Sequence, residues 1–276
     1  TDESTPSEIS SVSLIENKWI ISRFNDTLEE FNELFEKYKI SDAYKLLYNF
    51  LWSELFDWYF EFSKNLFNDE DKKNETQTVL KSIFLESLKL LNPAMPHITE
   101  EIWSSFNEDY IIENTWPSTF LEESGDFFEI ENLKEIITKI RNFKSTYNLK
   151  NSLAIDLYSL STYPDWFVNQ LEKTANVNIS VIESSLEEGV VLSFQSNDFV
   201  LSLLASNYID VESEIKRLKK KKSELNKSLE ISNNRLTNEK FLQNAKQELI
   251  DQEKQNVQNL SSQIESINST LNSLNN

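Results

Sequence analysis

Lys216-Arg217-Leu218-Lys219-Lys220-Lys221-Lys222 is the most basic stretch of an acidic chain, and it lies in a tract, residues 207 to 276, without glycine or proline. The tract has a countable register. Positions 211, 215, 218, 222, 225, 229, 232 and 236 alternate steps of four and three and carry Val, Ile, Leu, Lys, Leu, Leu, Ser and Leu, six of eight apolar. A second series at 250, 253, 257, 260, 264, 267, 271 and 274 carries Ile, Glu, Val, Leu, Ile, Ile, Leu and Leu, seven of eight apolar. Such spacing keeps one apolar stripe on one side of a helix, the pattern of a coiled-coil seam. Between the seams, Arg235-Leu236-Thr237-Asn238-Glu239-Lys240-Phe241 gathers Thr and Asn, which favour caps over helix interiors. The tract reads as an antiparallel hairpin whose arms of roughly 25 residues, rising about 1.5 Å each, project by about 35 to 40 Å. The same seams fit a dimerising coiled coil or a hairpin folded back on its own domain, because a seam alone does not choose its partner.

Charge divides the chain. Residues 210 to 276 hold 11 Lys and Arg against 10 Asp and Glu, a balance of +1, and the rest holds 16 against 36, or −20. A net charge of −19 disfavours diffuse binding to nucleic acid or anionic membrane, since long-range repulsion slows encounter with a polyanion. Local basic docking sites remain compatible with it. With 39% hydrophobic and 12% aromatic residues, the 276-residue chain has ample material for folded cores and suggests two or three domains. The absence of cysteine rules out disulfides, a thiolate nucleophile and zinc-thiolate sites, and fits a reducing compartment. No apolar run approaches the roughly 18 to 20 residues of a membrane span, and Thr1 to Ser13 lacks the features of a signal peptide. We expect a cytoplasmic protein that does not bind membrane, with residues 1–13 a disordered tail.

Working back toward the amino terminus, the body reads as helical. Ile20, Phe24, Leu28, Phe31, Leu34 and Phe35 recur at helical spacing, and Ser41 and Asp42 suit a capped restart. Tyr44, Leu47, Tyr48, Leu51, Trp52, Leu55, Phe56 and Tyr59 then form a stripe wide enough for a helix gripped on two sides within a bundle. A third helix follows through Val79, Ile83, Phe84, Leu88 and Leu91. It ends at Leu91-Asn92-Pro93-Ala94-Met95-Pro96-His97-Ile98-Thr99-Glu100-Glu101-Ile102-Trp103, where two prolines break the helix and Thr99 can cap the next. His97 and Glu100 sit three apart, but two ligands without a third read as part of a structural turn, and we assign no metal site. Trp103 and Trp116 read as core.

Past Gly125 the pattern changes. A helix through Leu133, Ile136, Ile137, Ile140, Phe143 and Tyr147 precedes β-rich runs at 153–160, 178–183, 190–194 and 199–205, with a helix over 164–173 between the first two. Residues 136 to 152 contain Lys139, Arg141, Lys144 and Lys150 and no acid. That window is either a solvated face opposite the core stripe or a surface for phosphates and bases, and Arg141 is one of only four arginines. The fold class is thus mainly α: a helical bundle over 14–125, a small α/β module over 126–206, and a coiled-coil hairpin over 207–276.

Four ordered segments carry a family resemblance: Trp19-Ile20-Ile21-Ser22-Arg23-Phe24, Phe50-Leu51-Trp52-Ser53-Glu54-Leu55-Phe56-Asp57-Trp58-Tyr59, Leu91 to Trp103, and Ile140-Arg141-Asn142-Phe143-Lys144. Together they resemble the anticodon-binding domain of class I aminoacyl-tRNA synthetases of the valine, isoleucine and leucine group. Ile209-Asp210-Val211-Glu212-Ser213-Glu214-Ile215, with Leu236 to Phe241 at the far end, resembles the tRNA-binding arm of the valyl-tRNA synthetase family. Departures from the family pattern occur at Thr146 and Leu149-Lys150, where a Glu and prolines are usual, and at Lys240, where glycine is usual. The family's opening helix would precede Thr1.

The resemblance implies an ATP-dependent valine-tRNA ligase, monomeric and using Mg, of which this chain binds RNA without performing the chemistry. The residues agree: a His-x-Gly-His signature needs two histidines where one is present, and the lone Met95 lies between Ala94 and Pro96, excluding a Lys-Met-Ser-Lys-Ser loop. Glycines only at 125 and 189 exclude a P-loop and a dinucleotide fingerprint. We expect no catalytic residue, metal or cofactor here. By resemblance Arg141, Asn142, Lys144 and Asn148 would lie at the anticodon region, and Arg217, Lys220, Lys221, Arg235 and Lys240 at the outer corner of tRNA, mostly on phosphates. The alternative is a coiled-coil interaction or dimerisation module without RNA binding, its hairpin docking a helix or pairing with a copy of itself.

Overall fold

In the computed structural model, the residues described are 12–120, 125, 127–186, 190–238 and 247–275. They form two compact units, one made of residues up to Thr138 with Asp165–Ala175, the other of Lys139–Pro164 with Asn176–Asn276.

The first unit is helical. Helix α1 (Ile15–Glu36) buries Trp19, Ile20, Phe24, Leu28 and Phe31, the face set by its three-to-four spacing. The segment entering it is held from another helix. The Glu75 carboxylate accepts from the Ser13 amide at 3.1 Å, the Ser13 hydroxyl at 2.7 Å, the Leu14 amide at 3.0 Å and Asn17 Nδ2 at 2.8 Å. Burial raises the pKa of this carboxyl, and these hydrogen bonds to the charged form outweigh that and hold it below its ordinary value. Its neighbour Glu16 is buried and accepts from Gln170 Nε2 at 2.7 Å, and burial pushes its carboxyl up. The Tyr59 hydroxyl donates to Asn17 Oδ1 at 2.8 Å, and burial raises its pKa far above the usual phenol range. Helix α1 ends with Tyr38 in the left-handed region (φ 58°), its amide donating to Phe35 O at 3.0 Å and that of Lys39 to Leu34 O at 2.9 Å. This double bond pattern closes a helix end, and glycine normally occupies Tyr38's position.

Helix α2 (Ile40–Asn49) passes without a break into a π-helical segment, Phe50–Tyr59, and then into α3 (Phe60–Leu66). Its N-cap is Lys39, without a side-chain cap, so the expected restart at Ser41 and Asp42 lies inside the helix. The wide apolar stripe is gripped on one side only. Leu47, Phe50, Leu55 and Tyr59 are buried, whereas Tyr48, Trp52 and Phe56 are exposed, which corrects the expectation of a two-sided grip.

Asp69 caps α4 (Glu70–Leu91), accepting from the Asp71 amide at 3.2 Å. Helix α5 (Pro96–Trp103) begins with Pro96 in its first turn, where a missing N–H costs nothing, and Met95 as N-cap. Thr99 therefore lies within the helix. Its hydroxyl donates back toward Met95 O at 2.9 Å and accepts from Asn92 Nδ2 at 3.0 Å, pinning the corner. Trp103 is core, with Nε1 donating to Asp109 O at 3.1 Å. Trp116 departs from its expected burial: it is half exposed, its ring against Phe31 and Phe35 and its Nε1 donating to Asn32 Oδ1 at 2.9 Å.

Helix α6 (Phe128–Thr146) runs from the first unit into the second. In the first unit its Lys134 ammonium lies 4.9 Å from the ring of Trp19 and 5.8 Å from that of Trp58, with Glu54 at 3.0 Å and Glu131 at 3.1 Å. The charge is thus neutralised by two carboxylates and packed between aromatic faces.

The second unit holds a four-stranded sheet in the order β2-β1-β4-β3. Strands β1 (Ile155–Ser159) and β2 (Val177–Val181) pair in parallel, joined along the chain by α7 (Asp165–Ala175), which belongs to the first unit. Strands β3 (Val191–Ser196) and β4 (Phe199–Leu204) form a hairpin whose two-residue turn places Asn197 at φ 49°, a conformation asparagine tolerates. Asp210 caps α8 (Val211–Thr237), accepting from the Ser213 amide at 3.1 Å. Helix α9 (Gln247–Asn275) returns antiparallel: Arg235 meets Glu253, Ser232 meets Asn256, and Leu218 packs with Ile267, Leu271 and Leu274. The two seams interlock as their registers require. With 27 residues at about 1.5 Å each, α8 extends about 40 Å. The expected tip residues Glu239, Lys240 and Phe241 lie outside the described residues, as do residues 1–11 of the expected tail.

Candidate nucleic-acid interface

On α6 the acid-free window divides by face. Arg141 and Asn142 are exposed. Lys139 is tied down, its ammonium donating to Gln195 O. Lys144 points inward: it is 1% exposed, donates to Leu153 O at 2.8 Å and Asn176 O at 3.0 Å, and its pKa is lowered by burial. A cation so enclosed joins backbone to backbone and presents no charge to a phosphate, so the structure removes Lys144 from the surface grouped by sequence. The reason is helical period, since 136, 137, 140, 143, 144 and 147 share one face and the side chain at 144 enters the core with them.

Asn148 ends the helix. It adopts φ 53°, its amide donates to Ser145 O at 3.2 Å, and the Leu149 amide donates to Lys144 O at 2.8 Å. This is a Schellman closure, and asparagine is among the few residues besides glycine that enter it readily. The side chain at 148 is exposed, so its backbone role does not consume its amide.

The root of the arm shows a similar division. Arg217 is held by Glu214 in a two-point pair, Nε at 2.6 Å and Nη2 at 2.7 Å, and the hydrogen bond to Glu214 pushes its pKa up further. Glu214 is buried, and the nearby Tyr147 hydroxyl has its pKa raised by burial and then by the charge of that carboxylate. The residue after α6 and the first turn of α8 are therefore coupled electrostatically through one carboxylate. Lys216, Lys219, Lys220 and Lys221 are all exposed. Arg235, near the far end, is exposed and lies 3.5 Å from Glu253. Lys240 falls outside the described residues.

The structure thus brings Arg141, Asn142 and Asn148 to one helix end and Lys220 and Lys221 to the arm root, while Lys144 is enclosed and Arg217, itself exposed, is paired with Glu214. Sequence reasoning missed Glu214 and Tyr147, which fix the root. Acid at i−3 from Arg217 was a visible signal for the first, and no local signal marked the second. Among the described residues no group of three or more His, Cys, Asp or Glu could hold a metal, and no helix is long and apolar enough to cross a membrane.

Residues 17–159 match the family described as the anticodon-binding domain of tRNA ligase, and residues 210–275 match the valyl tRNA synthetase tRNA binding arm. Among curated proteins the chain is 31% identical over 258 residues to a valine–tRNA ligase of Petrotoga mobilis, covering 88% of this chain and 29% of that protein. It is 31% identical over 292 residues to that of Aquifex aeolicus, covering 93% and 24%, and 28% identical over 264 residues to that of Bacillus subtilis, covering 90% and 30%. The chain spans less than a third of the length of these relatives.

Proposed function

The chain belongs to the anticodon-binding domain family of tRNA ligases, in its valyl-tRNA synthetase branch, and we propose that it is the tRNA-recognition part of such an enzyme. In this reading it grips the anticodon region and the outer corner of a valine tRNA. Attachment of valine with ATP and Mg would belong to the rest of a monomeric, cytoplasmic synthetase. The functional divisions would be a bundle over 14–125, an α/β module over 126–206 and the arm over 207–276.

One observation carries the proposal: the two family matches occur in order on one chain, and the second coincides with the carboxy-terminal tract that is +1 where the rest of the chain is −20. Arg141, Asn142 and Asn148 would meet unpaired bases and backbone of the anticodon stem-loop. Lys220 and Lys221, with Arg235 and Lys240 farther out, would meet phosphates. Each neutralised phosphate adds a log–log salt slope of about −0.7 to −0.9.

The test is a mobility assay of valine tRNA and a non-cognate tRNA at two salt concentrations, with the whole chain and with residues 210 to 276 removed. Arm-dependent, salt-sensitive binding is expected. Binding that does not change on removal of the arm would reject the arm's role. Self-association abolished by Leu225→Glu, with no RNA binding by the parent chain, would favour the dimerising module instead.

A further inference from the structure

The arm is a lever, and its root is held by more than packing. Helix α8 is about 40 Å long, so a tilt of about 10° at its base would carry the far end by about 7 Å and Lys221 by about 2 Å, enough to break a hydrogen bond to a phosphate. Strand β3 supports the root. Its Leu192 packs against the cluster of Leu218, Ile267, Leu271 and Leu274, and its Phe194, two residues on and thus on the same face, lies 5.7 Å from the ring of Phe143 of α6. The Lys139 ammonium also donates to Gln195 O of that strand. Just before α8, the Tyr208 hydroxyl accepts from the Asp156 amide at 2.7 Å and donates to the Asp156 carboxylate at 3.2 Å, tying the lead-in to β1. All these groups belong to the second unit.

Apolar contacts are non-directional and allow sliding, so something else must set the angle. Glu214 is only 8% exposed, and a carboxylate buried beside an apolar seam stabilises less than a hydrophobic side chain of similar volume. What it adds is direction. It is held in a two-point pair with Arg217, Nε at 2.6 Å and Nη2 at 2.7 Å, a geometry that fixes both side chains. Near it is Tyr147, the residue after α6, whose ring lies 4.9 Å from that of Phe143 and whose pKa is raised by burial and then by the Glu214 charge.

We infer that Glu214 is a positioning residue: paired with Arg217 beside Tyr147, it fixes the angle of the arm to α6, so that the exposed end of α6 and the arm lysines meet one RNA together. The inference rests on the tRNA reading above. Asn148 directly follows Tyr147, and Lys221 stands seven residues beyond Glu214, two turns along the same face of α8 and about 10 Å away. The junction thus lies between the two sets of candidate contacts. Two contacts held at a fixed spacing bind as one, the second at high effective concentration; a loose joint lowers that concentration and adds the ordering of the arm to the binding step. By charge alone Glu214 repels RNA, so any help it gives to binding comes through geometry.

The experiment measures affinity for valine tRNA over a range of salt with the whole chain, Glu214→Gln, Arg217→Lys, and Lys220→Ala with Lys221→Ala, the last also combined with Glu214→Gln. Glu214→Gln removes an acid, and Arg217→Lys keeps the charge but gives up the two-point fork. If charge alone mattered, the first would bind more tightly and the second like the parent. Positioning predicts that both bind about 5- to 60-fold more weakly at about 0.1 M salt, with a log–log slope flatter by about 0.7 to 1.8, the loss of one to two phosphate contacts although every arm lysine is present. Adding the lysine replacements to Glu214→Gln should then weaken binding little further, because their contact is already lost. Arg217→Lys gives a second reading should Glu214→Gln fold poorly. Parental or tighter binding by either folded variant would overturn the inference, as would full additivity of the Glu214 and lysine replacements. A salt slope left unchanged by Lys220→Ala with Lys221→Ala in the parent chain would instead refute the arm's contact with tRNA, the reading on which the inference rests.

Discussion

The Arg217 guanidinium donates to both carboxylate oxygens of Glu214, one turn earlier on the arm, at 2.6 and 2.7 Å. The pair separates two kinds of cation that look alike in sequence. Arg217, though itself exposed, is paired with a buried carboxylate, whereas Lys220 and Lys221 face water. Replacing Arg217 with Ala leaves Glu214 and Tyr147 facing each other without the cation, and we expect a stability loss of about 1 to 3 kcal/mol in urea unfolding. Lys220→Ala with Lys221→Ala should leave stability within about 0.5 kcal/mol and flatten the salt dependence of tRNA binding by more than one log–log unit. If Arg217→Ala instead behaves like the lysine pair, the two-point bond contributes nothing and Arg217 belongs with the phosphate ligands.

Lys144 gives a sharper contrast. Replacing it with Met keeps the stem but removes the ammonium from the carbonyls of Leu153 and Asn176, the second of which keeps the Ile155 amide at 3.4 Å, and we expect a cost of about 1 to 3 kcal/mol. Denaturant midpoints should fall, with no change in the salt slope of RNA binding measured below the transition. A Met variant as stable as the parent would show that water or a neighbouring donor replaces the ammonium.

Two carboxyls of the first unit titrate with opposite signs. Glu75 is held below its ordinary value by its hydrogen bonds to residues 13, 14 and 17 despite the burial that raises it, so its contribution is present above the unfolded pKa and is lost as pH falls through the folded one. Glu16 is pushed up by burial, so its contribution is present below the unfolded pKa and is lost as pH rises through the folded one. Glu75→Gln should therefore cost about 2 kcal/mol near pH 7 and progressively less in acid. Glu16→Gln should remove a fall in stability that begins in the ordinary glutamate range and is complete only above it. Stability curves of both variants against pH check the signs, and parallel curves for parent and variant would refute the assignment in either case.

The hairpin was legible because a seven-residue seam is a long, redundant signal, and Leu218, Ile267, Leu271 and Leu274 interlock where counting places them. The β runs and α6 were legible for the same reason, each having a period to count. What was not legible was which of two apolar sides would be covered. Trp52 and Leu55 belong to one stripe by sequence, yet one faces water and the other is buried, because the neighbouring helices that decide it are remote in the chain. The site residues show the same limit on a smaller scale. Lys144 could have been placed inside by its stripe position between Ile140 and Tyr147, but its charge outweighed its phase in the reading. The approach of Tyr147 to Glu214, between residues 67 positions apart, had no sequence signal at all.

The root of the arm offers the last prediction. Leu271 packs in a cluster with Leu218, Ile267 and Leu274, flanked by Val190, Leu192 and Ile215, so the two helices and the sheet share one small core. Truncation to Ala removes about three methylene equivalents from that core, and at such a site costs about 2 to 4 kcal/mol. Because the cluster lies wholly in the second unit, the loss should be local. Amide exchange should accelerate along α8 and α9 while the buried amides of α1 and α4 keep their protection. Uniform acceleration in both units would mean that they unfold together, and no acceleration would mean that the root is held by its polar contacts, with Asp210 and Glu214 sufficient to anchor it.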